Sequence, residues 1–282
     1  MSAIVRLDNF FRSHPLTQRA PSRAWARFLV WQLRSRFQSE VIVPWIAGTR
    51  LAARRGMTGA TGNIYVGLHE FADMMLPLHF LRPGDLFLDV GANIGSYSVL
   101  ASGVCGARSW AFEPHPQTAK YLQRNIEIND LAALVTVHQC ALGRRRGTVS
   151  FTTDQDTTNQ VTSRSTGLTV PMESLDNLTA TESPAMIKMD VEGGEEEAIS
   201  GAQGCLSKSS LKLVEIETLT PRMREIFAQS GFEEFHYEPF ARRLEAGPSP
   251  RPGANAVFAR DLDFVRARLN EARPVSVLDR EI

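Results

Sequence analysis

The hydrophobic pattern of the chain alternates short apolar runs with longer amphipathic stretches from about residue 85 onward. The apolar runs have the length of buried strands, and the stretches between them have helical spacing. Strands are predicted at residues 85–90, 108–113, 134–139, 185–190 and 211–216, and helices at residues 94–101, 117–129 and 195–201. Because parallel strands require crossover connections, this alternation predicts a doubly wound α/β sheet.

One interval, residues 143–184, interrupts the alternation. It is rich in Thr, Ser, Gly and Asp and contains two β-like pieces, GTVSFTTD and GLTVPME. We interpret it as a β-rich insert, a hairpin or flap at one edge of the sheet that contacts substrate. The segment NAVFAR at residues 255–260 is predicted to form an antiparallel last strand.

The N-terminal part, residues 1–62, is predicted to be a basic, partly helical extension of a main domain at residues 63–282. Seven arginines and a single acid, Asp8, precede Glu40. At helical spacing, three of the arginines share one stripe, and aromatic and leucine side chains point largely the other way. The stripe consists of Arg23, Arg27 and Arg34, and the opposite side of Trp25, Phe28 and Leu29. Such a helix either packs its aromatic face on the domain or makes weak contact with an anionic membrane surface.

Composition limits the partners of this chain. Lys+Arg and Asp+Glu both number 31 in 282 residues, so the formal net charge is zero and a nucleic-acid surface is not expected. The three cysteines lie far apart, which is typical of a reducing, cytoplasmic compartment. No apolar run is long enough to cross a bilayer. We therefore expect a cytoplasmic protein, with peripheral membrane contact as the alternative.

Three motifs stand at the ends of predicted strands: LFLDVGANIG, AFEPHP and MIKMDVEGGE. Ligands of open α/β sheets bind at the carboxyl ends of the strands. Gly91 and Gly95 allow a tight turn with close backbone approach. Glu113 ends the next strand, about twenty residues on, the spacing at which an acid hydrogen-bonds a ribose diol. The motifs predict a nucleoside-cofactor cleft.

The glycine turn separates two cofactor classes. A dinucleotide fingerprint that begins at Gly91 requires glycine at positions 93 and 96, where this chain has Asn93 and Ser96. This mismatch favours S-adenosylmethionine, which has a ribose and an amino-acid tail but no pyrophosphate. An NAD-type oxidoreductase and a non-catalytic nucleoside-binding module are the alternatives.

The motifs DVGANIG, FEPHP followed by NIEIN, IKMDVEGGE and VEIE occur in this order over residues 86–217. In order and spacing they resemble the FkbM family of S-adenosylmethionine-dependent methyltransferases. The resemblance implies a Rossmann-like sheet and O-methylation of a hydroxyl on a small-molecule or glycan acceptor, such as a sugar-containing compound or secondary metabolite.

Residue by residue, the resemblance implies a set of cofactor contacts at the strand ends. The amino-acid tail is assigned to Asp89, Gly91, Asn93 and Gly95, the ribose to Glu113, and the adenine to Cys140 and Ala141.

The DVEG motif provides the candidate catalytic acids, Asp190 and Glu192. Methyl transfer to a hydroxyl requires in-line positioning and a group that takes the proton. Either acid is a candidate base, His69 is a rival, and capping of the following helix is the structural alternative. We expect no metal, although a magnesium site formed by Asp190, Glu192 and Glu215 or Glu217 is a further alternative.

Overall fold

The computed structural model describes residues 2–151, 161–162, 168–191, 193–251 and 253–282. The helices are α1 (Ala3–Ser13), α2 (Pro21–Phe37), α3 (Thr58–Val66), α4 (Phe71–Phe80), α5 (Ser96–Val99), α6 (Pro116–Ile128), α7 (Leu175–Leu178), α8 (Glu195–Ser200), α9 (Gln203–Leu206), α10 (Pro221–Gln229) and α11 (Leu262–Asn270). The strands are β1 (Val41–Pro44), β2 (Arg50–Ala53), β3 (Leu86–Val90), β4 (Arg108–Phe112), β5 (Val135–His138), β6 (Ala141–Leu142), β7 (Gly147–Phe151), β8 (Val161–Thr162), β9 (Leu168–Glu173), β10 (Pro184–Met189), β11 (Leu213–Ile216), β12 (Glu233–Glu238), β13 (Arg243–Ala246), β14 (Ala256–Ala259), β15 (Ser276–Val277) and β16 (Arg280–Glu281).

The central sheet has eight strands in the order β13-β12-β14-β11-β10-β3-β4-β5. The five strands from β11 to β5 are parallel, and β14 lies antiparallel to β11. From β3 the chain moves outward to β4 and β5 and then returns to β10 on the other side. The point where strand order reverses therefore lies between β3 and β10, the place at which open α/β sheets bind ligands. The predicted Rossmann-like α/β fold is confirmed.

Successive side chains of the central strands point to opposite faces of the sheet, and a hydrophobic core lies on each face. On β3, Phe87 belongs to one hydrophobic cluster, whereas Leu86, Leu88 and Val90 belong to the cluster on the opposite face. Both clusters consist of buried side chains, as expected for parallel strands covered on two sides. Asp89 shares the face of Phe87, which determines the surroundings of its carboxyl group.

The interval predicted as a β-rich insert contains a second, four-stranded sheet in the order β6-β9-β7-β8. Its main pair, β7 with β9, is antiparallel. The predicted piece at residues 152–154 lies outside the described residues. Substrate contact by this insert stays a prediction, as does the domain division near residue 62.

The N-terminal helices pack on the domain through aromatic rings. Trp25 and Phe28 of α2 make edge-to-face contacts with Phe11 and Tyr65, at centroid distances of 5.4 and 5.3 Å. Phe28 thus packs on the main domain as expected, whereas Trp25 packs on α1 within the N-terminal extension. Leu29 was expected on the same side but is 61% exposed, because it lies about a third of a turn from Phe28 on the helix. Among the described residues, no helix is long and apolar enough to span a membrane.

Candidate active site

The loop after β3 is fixed by backbone hydrogen bonds to β4. The amides of Gly91 and Ala92 both donate to the Phe112 carbonyl at 3.0 Å. Gly91 has a φ of +80°, and a Cβ at this position would overlap the Asp190 carbonyl oxygen. Only glycine fits where the loop crosses the end of β10. The glycine turn and the DVEG motif, predicted separately, are therefore in backbone contact.

Gly95 has a different steric constraint. Its φ is +87°, and a Cβ would overlap the Leu122 Cδ1 atom on α6. Leu122 is fully buried, although the overlapping atom is the end of a side chain that can shift. The second glycine of the motif therefore fits the loop against α6.

Gly95→Ala should lower the free energy of unfolding by about 1–3 kcal/mol, because alanine at this φ is strained and its methyl group displaces Leu122. Gly231→Ala is the matched control, since Gly231 has a φ of +79° and a methyl group at its Cα would meet open space. Urea denaturation of both variants measures the difference. Equal costs in the two variants would show that the contact with Leu122 does not matter.

Glu113 follows β4 and is buried. Its two carboxylate oxygens accept hydrogen bonds from the Asn93 amide at 3.1 Å and the His115 amide at 2.8 Å. Burial raises the pKa of Glu113 to about 7, against the opposing effect of these two amides. Each oxygen keeps a second lone pair. The carboxyl group therefore braces the glycine loop and retains acceptor capacity suited to a diol.

Asp89 lies beneath the loop and has only 1% of its surface exposed. Its Oδ2 atom accepts hydrogen bonds from the Ser98 amide at 3.0 Å and the Ser98 hydroxyl at 2.7 Å. Burial raises the pKa of Asp89, opposed by Lys188 and Ser98. Asp89 thus positions α5 behind the loop, and its contact with a cofactor tail stays a prediction.

Three buried ionisable residues lie side by side on neighbouring strands of the sheet. Register pairs Lys188 on β10 with Asp89 on β3 and with Glu215 on β11. All three side chains are buried, with exposures of 3% or less. We call Asp89, Lys188 and Glu215 the charged row. Lys188 is not among the residues predicted from the sequence, although a charge within the apolar run MIKM was a usable signal.

Lys188 connects the charged row to Asp190. Its Nζ atom lies 2.8 Å from Asp190 Oδ2 and 4.6 Å from the centroid of the Tyr97 ring. Burial lowers the pKa of Lys188, but Asp190, Glu70 and Asp89 outweigh that effect and raise it. Burial likewise raises the pKa of Asp190. The charge of Lys188, the interaction with Glu217 and the hydrogen bond from Lys188 together outweigh burial and lower the pKa below its usual value. Asp190 is therefore an ionised carboxylate at neutral pH.

Further carboxyl groups surround this pair. The Tyr97 hydroxyl on α5 donates to Glu70 Oε2 at 2.7 Å, and Asn255 Nδ2 donates to Glu215 Oε1 at 3.2 Å. Burial, followed by the charge of Glu70, raises the pKa of Asp73 to about 7. The pKa of Glu215 is also raised, by burial and by the charge of Asp73. Burial and mutual repulsion therefore favour the protonated forms of these two carboxyl groups.

The remaining predicted residues are distributed as follows. Cys140 and Ala141 come just after β5, at the carboxyl edge of the sheet, as predicted. Each is 7% exposed. The His69 ring packs edge-to-face against Phe10 on α1, at 5.4 Å between centroids. Glu192 lies outside the described residues. The adenine contacts and the role of His69 stay predictions.

Metal binding was weighed as an alternative for the acids at the strand ends. In the described parts of the chain, no three His, Cys, Asp or Glu side chains are arranged to hold a metal ion. The magnesium site considered from the sequence included Glu192, which lies outside the described residues, so that alternative stays untested.

Residues 89–236, more than half of the chain, match the Methyltransferase FkbM domain. The chain belongs to the FkbM methyltransferase family. The match begins at Asp89 and includes the glycine loop, Glu113, the charged row and Asp190, whereas Glu70 and Asp73 precede it and Asn255 follows it.

Relatives and solved structures are similar to parts of this member of the FkbM family. Hexuronic acid methyltransferase AglP of Haloferax volcanii is 30% identical over 138 residues, 47% of this chain and 56% of the relative. Methyltransferase 1 of Beauveria bassiana is 36% identical over 72 residues, 25% and 28% of the two chains. The chain thus spans about half or less of the length of these curated relatives. The crystal structure of methyltransferase FkbM from Methylobacillus flagellatus shares 19% identity at a TM-score of 0.46, covering 70% of this chain and 54% of that one.

Proposed function

We propose that the chain transfers a methyl group from S-adenosylmethionine to a hydroxyl of a sugar-containing acceptor. The observation that carries this proposal is the backbone contact between Gly91 and Asp190. That contact puts the loop expected to hold the cofactor next to an ionised carboxylate that is 29% exposed. Cofactor and acceptor sites must adjoin for a direct group transfer.

The cofactor is assigned to the loop side of this site. Glu113 accepts hydrogen bonds from the ribose diol through its remaining lone pairs. Its environment fits this role, since the carboxyl group is buried and the amides of Asn93 and His115 that bond to it are neutral. The tail is assigned to the loop at Gly91, Asn93 and Gly95 with Asp89 behind it. Adenine is assigned to Cys140 and Ala141.

The acceptor is assigned to the Asp190 side. The sulfonium of the bound cofactor supplies an activated methyl group. Asp190 would accept the hydrogen bond of the acceptor hydroxyl, orient its oxygen and take the proton as the C–O bond forms and the methyl–sulfur bond breaks, with S-adenosylhomocysteine as the leaving group. Because Lys188 lowers the pKa of Asp190, the carboxylate is a weak base and proton transfer accompanies bond formation. Glu192 is the second candidate for this role.

The class of acceptor rests on the relative AglP, whose name describes a hexuronic acid methyltransferase. We infer a glycan or small glycoside acceptor with a uronic acid as the first compound class to test. A secondary-metabolite hydroxyl is the other class. We also infer a cytoplasmic location, supported by free thiols at Cys105, Cys140 and Cys205.

Methyl transfer is tested with S-adenosylmethionine carrying a labelled methyl group and a panel of uronic acid glycosides, neutral glycosides and phenols. Mass spectrometry locates the label. Label on a sugar hydroxyl supports the proposal, label on a uronic acid carboxylate contradicts O-methylation of a hydroxyl, and label only on phenols contradicts a sugar acceptor.

Cofactor affinity should depend on pH through Glu113. The ionised carboxyl group accepts the ribose hydrogen bonds, so protonation below a pKa of about 7 weakens binding. The dissociation constant of S-adenosylmethionine should rise roughly tenfold from pH 8 to pH 6. Glu113→Gln should weaken binding at pH 8 by about 1–3 kcal/mol and remove most of this slope. Asp73→Asn, which removes the other carboxyl group with a pKa of about 7, is the control and should retain the slope. A slope that persists in Glu113→Gln contradicts the assignment.

A further inference from the structure

One side of α2 carries exposed apolar side chains. Leu29, Val30, Leu33 and Phe37 have exposures of 61%, 56%, 60% and 82%. At 100° per residue they fall within an arc of about 100°, opposite the buried residues Ala24 and Ser35. We call these four residues the outer face of α2. The solvated face of an ordinary surface helix is polar instead.

Arginines flank this outer face. On the helical projection, Arg23 and Arg34 lie on one side of it and Arg36 on the other. The sequence of α2 contains four arginines and no acid. The Arg23 side chain contacts Asp279, an ion pair in which both side chains are more than half exposed and that contributes little. An apolar stripe between cationic margins is typical of helices that lie in a membrane interface.

A groove of about 560 Å³ adjoins the outer face. It is lined by Val30, Trp31 and Leu278, and by the arginines Arg27 and Arg34. Arg27 Nε donates to the Tyr65 carbonyl at 2.7 Å, whereas its Nη2 atom has no hydrogen-bond partner among the described residues. A buried guanidinium nitrogen without a partner is costly, and a phosphate oxygen would satisfy it once the Arg27 side chain turns toward the groove. The groove thus combines apolar walls with an unsatisfied cationic donor.

We propose that the outer face of α2 binds the surface of an anionic lipid bilayer, with Arg27 and Arg34 directed at a lipid phosphate in the groove. Charge distinguishes this occupant from a second copy of the chain. A twofold contact through this face sets the same patch against itself, so the arginines of two copies would approach one another. An anionic surface instead attracts every arginine of α2. The proposal does not depend on the methyl-transfer assignment, because no site residue takes part.

The test is co-sedimentation of the full chain with vesicles of phosphatidylcholine alone or with one third phosphatidylglycerol. Binding should be strong only to the anionic vesicles and should weaken as salt rises from 50 to 500 mM. Leu33→Glu/Phe37→Glu should lower the partition coefficient at least about tenfold, because it removes apolar burial and adds repulsion. Arg23→Gln/Arg36→Gln should lower it several-fold per arginine. Phe264→Glu, an exposed apolar residue on α11, is the matched control and should bind as the parent does.

Circular dichroism and thermal unfolding of each variant show that the domain is still folded. Absence of binding to anionic vesicles by the parent chain overturns the proposal, as does full binding by Leu33→Glu/Phe37→Glu. Light scattering provides a second readout. A concentration-dependent dimer that Leu33→Glu/Phe37→Glu abolishes would show that a second copy covers this face, which also overturns the lipid proposal.

Discussion

Asp190→Asn should lower the rate of methyl transfer by about 10²–10⁴-fold at saturating acceptor, the contribution of a positioned general base. The amide keeps the size of the side chain but cannot take the proton of the acceptor hydroxyl. Affinity for S-adenosylmethionine should change by less than about threefold, since the ribose and tail are assigned to the loop side of the site.

The rate loss has to be separated from damage to the fold. Asp190 is paired with Lys188 at 2.8 Å, so asparagine leaves the lysine with fewer partners. Thermal unfolding with bound cofactor measures that cost, and Asp263→Asn, an exposed acid on α11, provides the matched control. Activity close to that of the parent would exclude Asp190 as the base and leave Glu192 or His69 as candidates.

Lys188→Met should lower the free energy of unfolding by about 3–5 kcal/mol at neutral pH, the usual result of removing one partner from a buried ion pair. Lys188 is 3% exposed and is the cation between Asp89 and Glu215 in register, as well as the partner of Asp190. Methionine fills a similar volume but leaves these carboxyl groups to repel one another or to bind protons.

The loss of unfolding free energy in Lys188→Met should increase with pH. Without Lys188, the folded-state pKa of Asp89, which burial already raises, increases further, and burial raises the pKa of Asp190 above its unfolded value. A carboxyl group with a raised folded pKa loses its stabilising contribution as pH rises from the unfolded pKa through the folded pKa. Urea denaturation at pH 5 and pH 8 should therefore show a larger loss at pH 8.

Two further variants make this stability prediction specific. Lys212→Met removes a cation that pairs with exposed Asp261 at the surface and should cost about 1 kcal/mol or less. Lys188→Met/Asp190→Asn should recover part of the loss, as expected for residues that interact directly. A cost within about 0.5 kcal/mol for Lys188→Met, the error of additivity in such comparisons, would contradict the charged row as a stabilising unit.

The sequence was sufficient to predict the parallel part of the sheet, because five apolar runs with helices between them leave few alternatives. The predicted strand at residues 108–113 and β4 at Arg108–Phe112, for example, agree to within one residue. Strands β12 and β13 were not predicted. The sequence of β12 contains charged residues such as Glu233 and Glu234, which are unusual in a buried strand. They are tolerated here because β12 lies near the edge of the sheet.

The sequence was sufficient to predict which motifs form the site. It was less informative about the contacts that each residue makes. Gly91 was expected to make room for a ligand, and in the structure it makes room for the Asp190 carbonyl oxygen. The charged row depends on the register between β3, β10 and β11, which follows from crossover connections that a single sequence does not specify. For the same reason Lys188 was missed while Asp190, two residues later, was identified.

The central claim, a cofactor site for S-adenosylmethionine between the glycine loop and Glu113, is tested most directly by isothermal titration calorimetry. S-adenosylmethionine, S-adenosylhomocysteine and NAD are titrated into the parent chain and into Glu113→Ala at pH 8. We expect binding of the first two ligands at one site per chain, no binding of NAD, and affinity lower by about 1–3 kcal/mol in the variant. Tight binding of NAD without a response to the other two, or unchanged affinity in Glu113→Ala, would contradict it.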